Sequence, residues 1–285
     1  MTTKFDIYQD VTDRIVNALE SGTAPWLKPW ADGKCGGSGP HNAASGRAYN
    51  GINWLVLSCS AYASDGWLTY KQAAELGGQV RKGEKGTSIV FWSFPKVQQD
   101  DGTVKVVPFA KGFTVFNVQQ CDGLDPAKLK GMEPVVAGDT SINALAARVG
   151  ADVQHGGTKA YYTPQADFIG MPTADSFSSP DAYAATLAHE LVHWTGHKSR
   201  CDRQFGKRFG DDAYAFEELV AEIGSAFVCA QMGIPLEGLQ HTSYLASWLK
   251  VLKADKRAIF TASSQAKRSS EFLINQEEII ENIAA

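Results

Sequence analysis

Cysteine is scarce and poorly placed for any framework. The five residues, Cys35, Cys59, Cys121, Cys201 and Cys229, are scattered, and no two form a CxxC pair. A zinc ribbon or a disulfide scaffold is therefore not expected, and reduced thiols in a cytoplasm fit best. A basic excess is missing too: 27 Lys and Arg against 31 Asp and Glu give a formal net charge of −4. That excludes a cationic coat over the whole chain but not local basic patches. No stretch supplies the roughly 18 apolar residues that cross a bilayer. Residues 1–19 do not read as a secretory leader, because Asp6, Asp10 and Asp13 interrupt any apolar core. Internal repeats are absent as well. What remains is a chain of 285 residues, 44% hydrophobic and 20% charged, long enough for one large core or two ordinary ones.

Ile7, Val11, Ile15 and Leu19 recur every four residues and predict an amphipathic helix, stopped by Ser21-Gly22. Residues 31–46, rich in Gly, Ser and Pro, read as a loop. Helices are expected over 51–63 and 69–76. Strands are expected over 88–94, 103–107 and 111–118, with Asp100-Asp101-Gly102 as a turn. Residues 1–125 thus form an α+β unit. Residues 126–138, with Glu133-Pro134 and several glycines, read as a linker to a second unit of residues 139–285. There the pattern predicts a helix over 141–149 and strands over 152–155 and 159–163, with Gly156-Gly157 as their hairpin turn. A third strand over 167–171 is a candidate cleft edge for an extended peptide. Ser179-Pro180-Asp181 opens a helix over 182–194. Further helices are expected over 213–232, 243–255 and 266–283.

His189-Glu190-Leu191-Val192-His193 is an HExxH motif. On a helix, residues four apart share a face, so His189 and His193 can hold one Zn²⁺. Glu190 can then reach a water at the ion and act as general base in attack on a carbonyl. The third ligand is open at this level. His197 follows a helix break at Gly196. The pattern HExxHxxGxxH fails, because Ser199 stands at its last position. Glu218, twenty-five residues beyond His193, is the preferred third ligand, in the gluzincin arrangement of a Glu on a following helix. Glu222 on the same face is then an acceptor for a ligand histidine N–H, or an alternative ligand. Glu217 reads as a solvated carboxylate. Tyr214 and His241 are candidate donors to a developing oxyanion. Arg200 and Arg203 read as structural ion-pair partners.

Five of the seven tryptophans fall in residues 1–125. Trp54 and Trp92 read as core. Trp26 and Trp30, in TAPWLKPW, and Trp67, in DGWLTYKQ, stand beside polar and turn signals. With Lys71 and the cluster Arg81, Lys82 and Lys85 they suggest stacking platforms and cations for single-stranded DNA.

The stretches PWLKPW, RAYNGINWLVL and WLTYKQAAELGGQVRKGEKGTSIVFW resemble the single-stranded-DNA-binding front of the ArdC family of plasmid antirestriction proteins. YYTPQADFIGMP, YAATLAHELVHWTGHKSR, YAFEELVAEIGSAF and SYLASWLKVL resemble that family's zincin-type metallopeptidase domain. The resemblance runs in order over nearly the whole chain. It implies a cytoplasmic protein that binds single-stranded DNA and shields an incoming plasmid from restriction during conjugation. It also implies Zn²⁺, or another divalent ion such as Mn²⁺, at His189, His193 and Glu218, with Glu190 catalytic. Two other readings stand beside it: a DNA-coating protein with a structural metal, and a DNA-dependent protease for DNA–protein crosslinks.

Overall fold

The computed structural model describes residues 6–22, 24, 26, 39–60, 62–93, 95–98, 103–106, 109–131, 141–203, 205, 212–235 and 244–275. Trp30, His241 and residues 132–138 of the expected linker lie outside the described residues. The front of the chain runs α1 (Ile7–Glu20), β1 (His41–Asn42), α2 (Ile52–Ser58), β2 (Gly66–Leu68), α3 (Tyr70–Glu75), β3 (Gln79–Val80), β4 (Thr87–Ser93), β5 (Lys96–Gln98), β6 (Val104–Val106), β7 (Phe109–Asn117) and β8 (Cys121–Asp122). The rear follows as α4 (Ile142–Arg148), β9 (Asp152–His155), β10 (Tyr161–Thr163), β11 (Phe168–Met171), α5 (Pro180–Thr195), α6 (Asp212–Met232), α7 (Leu245–Ala254) and α8 (Ala258–Ile274). The chain is α+β throughout, and no described helix is long and apolar enough to cross a membrane.

In the front, a sheet of order β1-β2-β7-β4 forms around the long β4–β7 pair. β5 and β6 continue that pair in the same frame: Ser93 pairs with Phe109, and three residues further along each strand Lys96 pairs with Val106. The result is a ribbon with β4 at the sheet edge. Helix α1 starts where the Asp6 carboxylate accepts from the Tyr8 and Gln9 backbone N–H groups, at 3.0 and 3.3 Å.

In the rear, β11 is the middle strand of three, in the order β10-β11-β9. This corrects two expectations. Residues 167–171 are not the cleft edge. Fully buried Ile169 and Met171 suit the centre of the sheet, and the edge facing the cleft is β10. Nor do β9 and β10 form a hairpin through Gly156-Gly157. β11 lies between them, parallel to β9 and antiparallel to β10. The hairpin joins β10 to β11, with Asp167 in the left-handed region at φ 53°, where Asp is tolerated.

Helices α5 and α6 cross closely. A Cβ on Gly224 would stand 2.8 Å from a Val192 methyl, so the contact requires glycine on α6. One core then gathers both parts of the chain: Val11, Ile15 and Leu19 of α1 and Trp54 of α2 pack in the same cluster as Phe227, Trp248, Leu252 and Ile259. Thr12 also donates its hydroxyl to the Lys256 carbonyl at 2.8 Å.

This packing overturns part of the aromatic reading. Trp26 and Trp67 are each 1% exposed, so neither offers a ring to DNA. Trp26 meets Trp248 edge-on at 5.7 Å. Trp67 sits on β2 among Leu57, Ile89 and Val115, with Tyr62 edge-on at 5.8 Å. Their polar sequence neighbours mark the ends of short elements rather than a surface. The Arg81 guanidinium is engaged too, donating to Glu84 at 2.7 Å and to the Gln119 carbonyl at 2.7 Å. Lys71, Lys82 and Lys85 are exposed, and Lys71 pairs with Glu75 at 3.5 Å. Trp26→Ala and Trp67→Ala should each cost about 3–5 kcal/mol of stability while leaving the DNA affinity of the folded fraction unchanged. Urea unfolding and DNA titration below the transition check both parts.

Candidate metal centre

Ser179 and Pro180 start α5, the Ser179 hydroxyl accepting from the Ala182 N–H at 3.0 Å. The helix ends at Gly196. On it His189 and His193 turn their Nε2 atoms toward each other, 3.1 Å apart. Two nitrogens bound to one tetrahedral zinc stand about 3.3 Å apart, so the spacing is nearly that of a shared ion. Across the α5–α6 crossing, Glu218 brings Oε2 to 3.6 Å from the His189 nitrogen and Oε1 to 3.6 Å from the His193 nitrogen. Among the described residues, His189, His193 and Glu218 are the single group of three or more metal-ligating side chains, with their ligand atoms within 4.8 Å of one another.

The remaining buried groups support these three. The His193 Nδ1 lies 3.1 Å from Glu217 Oε1. Arg203 grips the same carboxylate through Nε at 2.9 Å and Nη2 at 2.7 Å. Its other donors reach the Thr195 hydroxyl, the Ser269 hydroxyl and the Val192 carbonyl. Glu217 is therefore not a solvated carboxylate. It is 3% exposed and holds His193 by the edge opposite its ligand nitrogen. Sequence spacing gave no sign of this, because the argument for Glu218 left its neighbour pointing outward. On the other ring, His189 Nδ1 stands 3.7 Å from Glu222 Oε1.

The local charge balance also suits a cation. Glu190, Glu217, Glu218 and Glu222 are all buried, and Arg203 answers one of them. Burial alone would lower the pKa of His189. The Glu218 hydrogen bond and the charges of Glu222, Glu190 and Glu218 outweigh it and push the value up to about 9. Burial raises Glu218, but the His189 hydrogen bond and the two histidine charges prevail and bring it down to about 2. Burial pushes Glu190 up, against the pull of His189 and His193. A divalent ion meets this excess of buried negative charge with the nitrogen and carboxylate donors it prefers.

The three donors line a cleft of about 1360 Å³. Tyr161 and Tyr162 of β10 form one wall, and the backbone N–H of Tyr162 faces the Glu190 carboxylate. Asp167 and Arg200 clamp the β10–β11 turn: Arg200 Nη1 donates to Asp167 Oδ2 at 3.0 Å, Nη2 donates to Oδ1, and the guanidinium lies 3.8 Å from the Trp194 ring centre. Tyr214 lines the opposite side and donates to Glu218. Its hydroxyl is 3.4 Å from that of Tyr244, a residue the sequence singled out only within a longer stretch of resemblance. His197 stands at the cleft but bonds the Ser199 hydroxyl at 2.8 Å, outside the ligand group.

An HExxH helix answered by a glutamate from the next helix, with a three-stranded sheet along the cleft, defines a zincin-type domain. The family profile for the zincin-like metallopeptidase matches residues 140–265, and that for the N-terminal domain of anti-restriction factor ArdC matches residues 5–116. The antirestriction protein ArdC of plasmid R388 is 43% identical and superposes with TM-scores of 0.79 in its metal-free structure and 0.78 in its Mn(II)-bound structure. The first comparison covers 94% of this chain and 97% of ArdC. The uncharacterized protein y4eC of Sinorhizobium fredii (strain NBRC 101917 / NGR234) is 38% identical over 96% of this chain and 94% of its own length. DNA primase TraC of Escherichia coli is 40% identical over 96% of this chain, which spans 28% of that primase. The chain belongs to the ArdC family of antirestriction proteins.

Glu217→Gln keeps an acceptor for His193 but strips Arg203 of its partner charge. Metal affinity should fall about 10–100-fold, and stability should fall by about 3–5 kcal/mol; competition with a chelating dye and urea unfolding measure these. Asp167→Asn, which keeps the left-handed backbone accessible, tests the turn. The Arg200 hydrogen bonds hold the Asp167 pKa below its ordinary value. The pair's contribution is thus full above the unfolded pKa of about 3.9 and vanishes as pH falls through the lower folded value. The gap in Tm between wild type and variant should be constant from pH 6 to 8 and close below pH 4.

Proposed function

We propose that this protein shields incoming plasmid DNA from restriction in the recipient cytoplasm, with a front that binds single-stranded DNA and a rear that hydrolyses peptide bonds. The observation carrying the peptidase half is the convergence of His189, His193 and Glu218 on one point, with Glu190 beside it in an open cleft. Three donors leave a position free among the described residues, as a catalytic site requires and a structural one does not. The Mn(II)-bound structure of R388 ArdC supports a divalent ion here, and the N,N,O donor set suits Zn²⁺ or Mn²⁺. Held there, the ion supplies Lewis acidity toward a carbonyl oxygen and makes water acidic.

The chain's own groups do the rest. Edge strand β10 has its free side along the cleft, where an extended peptide can pair with it. Glu190, its pKa raised by burial, accepts the proton of the attacking water and returns it to the leaving amine. The Tyr244 hydroxyl lines the cleft and can donate to the oxyanion, and Tyr214 can do so by releasing Glu218. Glu217 holds the His193 imidazole in orientation, and the Glu222 carboxylate stands 3.7 Å from Nδ1 of His189. The DNA-binding half draws its support from the match over residues 5–116 to the N-terminal domain of anti-restriction factor ArdC and from the likeness of the whole chain to part of a DNA primase.

Glu190→Gln should keep full metal content and Tm but lose peptide hydrolysis by about 10²–10⁴-fold, and with it the protection that depends on cleavage. Metal analysis, a casein or peptide-library digest and a mating assay into a restricting host read the three quantities. Wild-type protection by this variant would reduce the rear half to a scaffold and favour DNA coating.

A further inference from the structure

Burial of Trp26 and Trp67 removes two of the three rings first expected to meet DNA, and another set stands exposed. Among the described residues six large hydrophobic side chains are exposed, and Phe91, Val97, Val104 and Phe113 of these lie on the β4–β7 ribbon. In register, Phe91 is opposite Lys111 and Phe113 is opposite Ile89. Side chains alternate along a strand, so Phe91, Lys111, Phe113 and Ile89 share one face. Its inner end is covered, since Ile89 packs with Leu57, Trp67 and Val115. Its outer end is bare: Phe91 is 58% exposed and Phe113 40%. Their rings meet edge-on at 6.0 Å, and the Lys111 ammonium lies 5.1 Å from the Phe113 ring centre.

The strands of the ribbon carry charge of one sign, and the nearest acids, Asp100 and Asp101, fall in sequence between β5 and β6. Residues 87–98 and 103–117 contain Lys96, Lys105 and Lys111 and no Asp or Glu, in a chain whose acids outnumber its bases. A water-exposed aromatic pair with an ammonium beside it suits an anionic partner that offers flat rings. The edge of β4 is less available than its face. The Asn53 side chain already bonds the Val90 N–H and C=O, each at 2.7 Å, and so occupies the middle of the edge where another strand would add.

We propose that the face carrying Phe91, Phe113 and Lys111 is where single-stranded DNA docks, bases stacking on the two phenylalanines and a phosphate meeting Lys111. The assignment rests on the reading of the front half as a single-strand binder. A duplex keeps its base faces covered, so the same surface discriminates against it.

The test uses the full chain, because α1 shares its core with α7 and α8. Fluorescence anisotropy with labelled oligo-dT and with a duplex of equal length gives affinities for wild type, Phe91→Ala, Phe113→Ala and Lys111→Ala. Each phenylalanine variant should bind oligo-dT about 5–150-fold more weakly, the span of 1–3 kcal/mol per stacked base, with unchanged Tm and metal content. Lys111→Ala should reduce the slope of log K against log salt by about 0.7. Wild-type affinity in both phenylalanine variants, while wild type binds oligo-dT, would overturn the surface and leave the single-strand reading standing. No oligo-dT binding by wild type would remove that reading itself. Concentration-dependent dimers that the phenylalanine variants abolish, with DNA affinity intact, would assign the face to a second copy instead.

Discussion

The metal centre depends on how closely α5 and α6 can approach. Neither helix holds a complete donor set: α5 offers two imidazoles and α6 the carboxylates. Gly224 lets the α6 backbone settle against Val192, one helical position before the second histidine. That contact sets Glu217, Glu218 and Glu222 at successive heights on the facing surface. A wider crossing would move all three carboxylates away together, so a site that looks like a short motif rests on a packing distance some way from it.

The same crossing concentrates negative charge in the interior, and the fold handles it in two ways. Arg203 neutralises Glu217 and is itself anchored by Thr195 on α5 and Ser269 on α8. One side chain thereby ties the last helix to the orientation of His193. The other carboxylates face the two histidines and the cleft, where positive charge has to come from protons or from a cation. The site's electrostatics and its tertiary packing are one problem: the helix that carries Ser269 also packs on α2 of the front half.

Motif-level chemistry was legible in the sequence, because a helix fixes the relative direction of residues four apart. His189 and His193 needed no knowledge of the rest of the fold, whereas Glu218, on the next helix, was preferred among several third ligands and takes its place through the α5–α6 crossing. Strand order in the rear sheet was not legible. Local turn signals at Gly156-Gly157 are genuine, but they do not reveal that Ile169 and Met171 outcompete β10 for the central position. Glu217 was misjudged for a related reason: its burial depends on an arginine that arrives from beyond the end of α5. The tryptophans failed as surface markers because short elements place polar residues next to core ones. Phe91 and Phe113 were hidden by the opposite error, since apolar residues on a strand read as core until the sheet shows which end is uncovered.

Helix α1 has a long wait before it can finish folding. Its Thr12 partner, the Lys256 carbonyl, lies 244 residues further along the chain, and its apolar stripe closes on α7. At translation rates of about 5–20 residues per second, that separation corresponds to roughly 10–50 s during which Val11, Ile15 and Leu19 can pack on α2 but lack the cover that α7 supplies. Helix α1 is made well before the helices that complete its cover, so a nascent chain presents part of an amphipathic stripe to chaperones while the residues between them are synthesised.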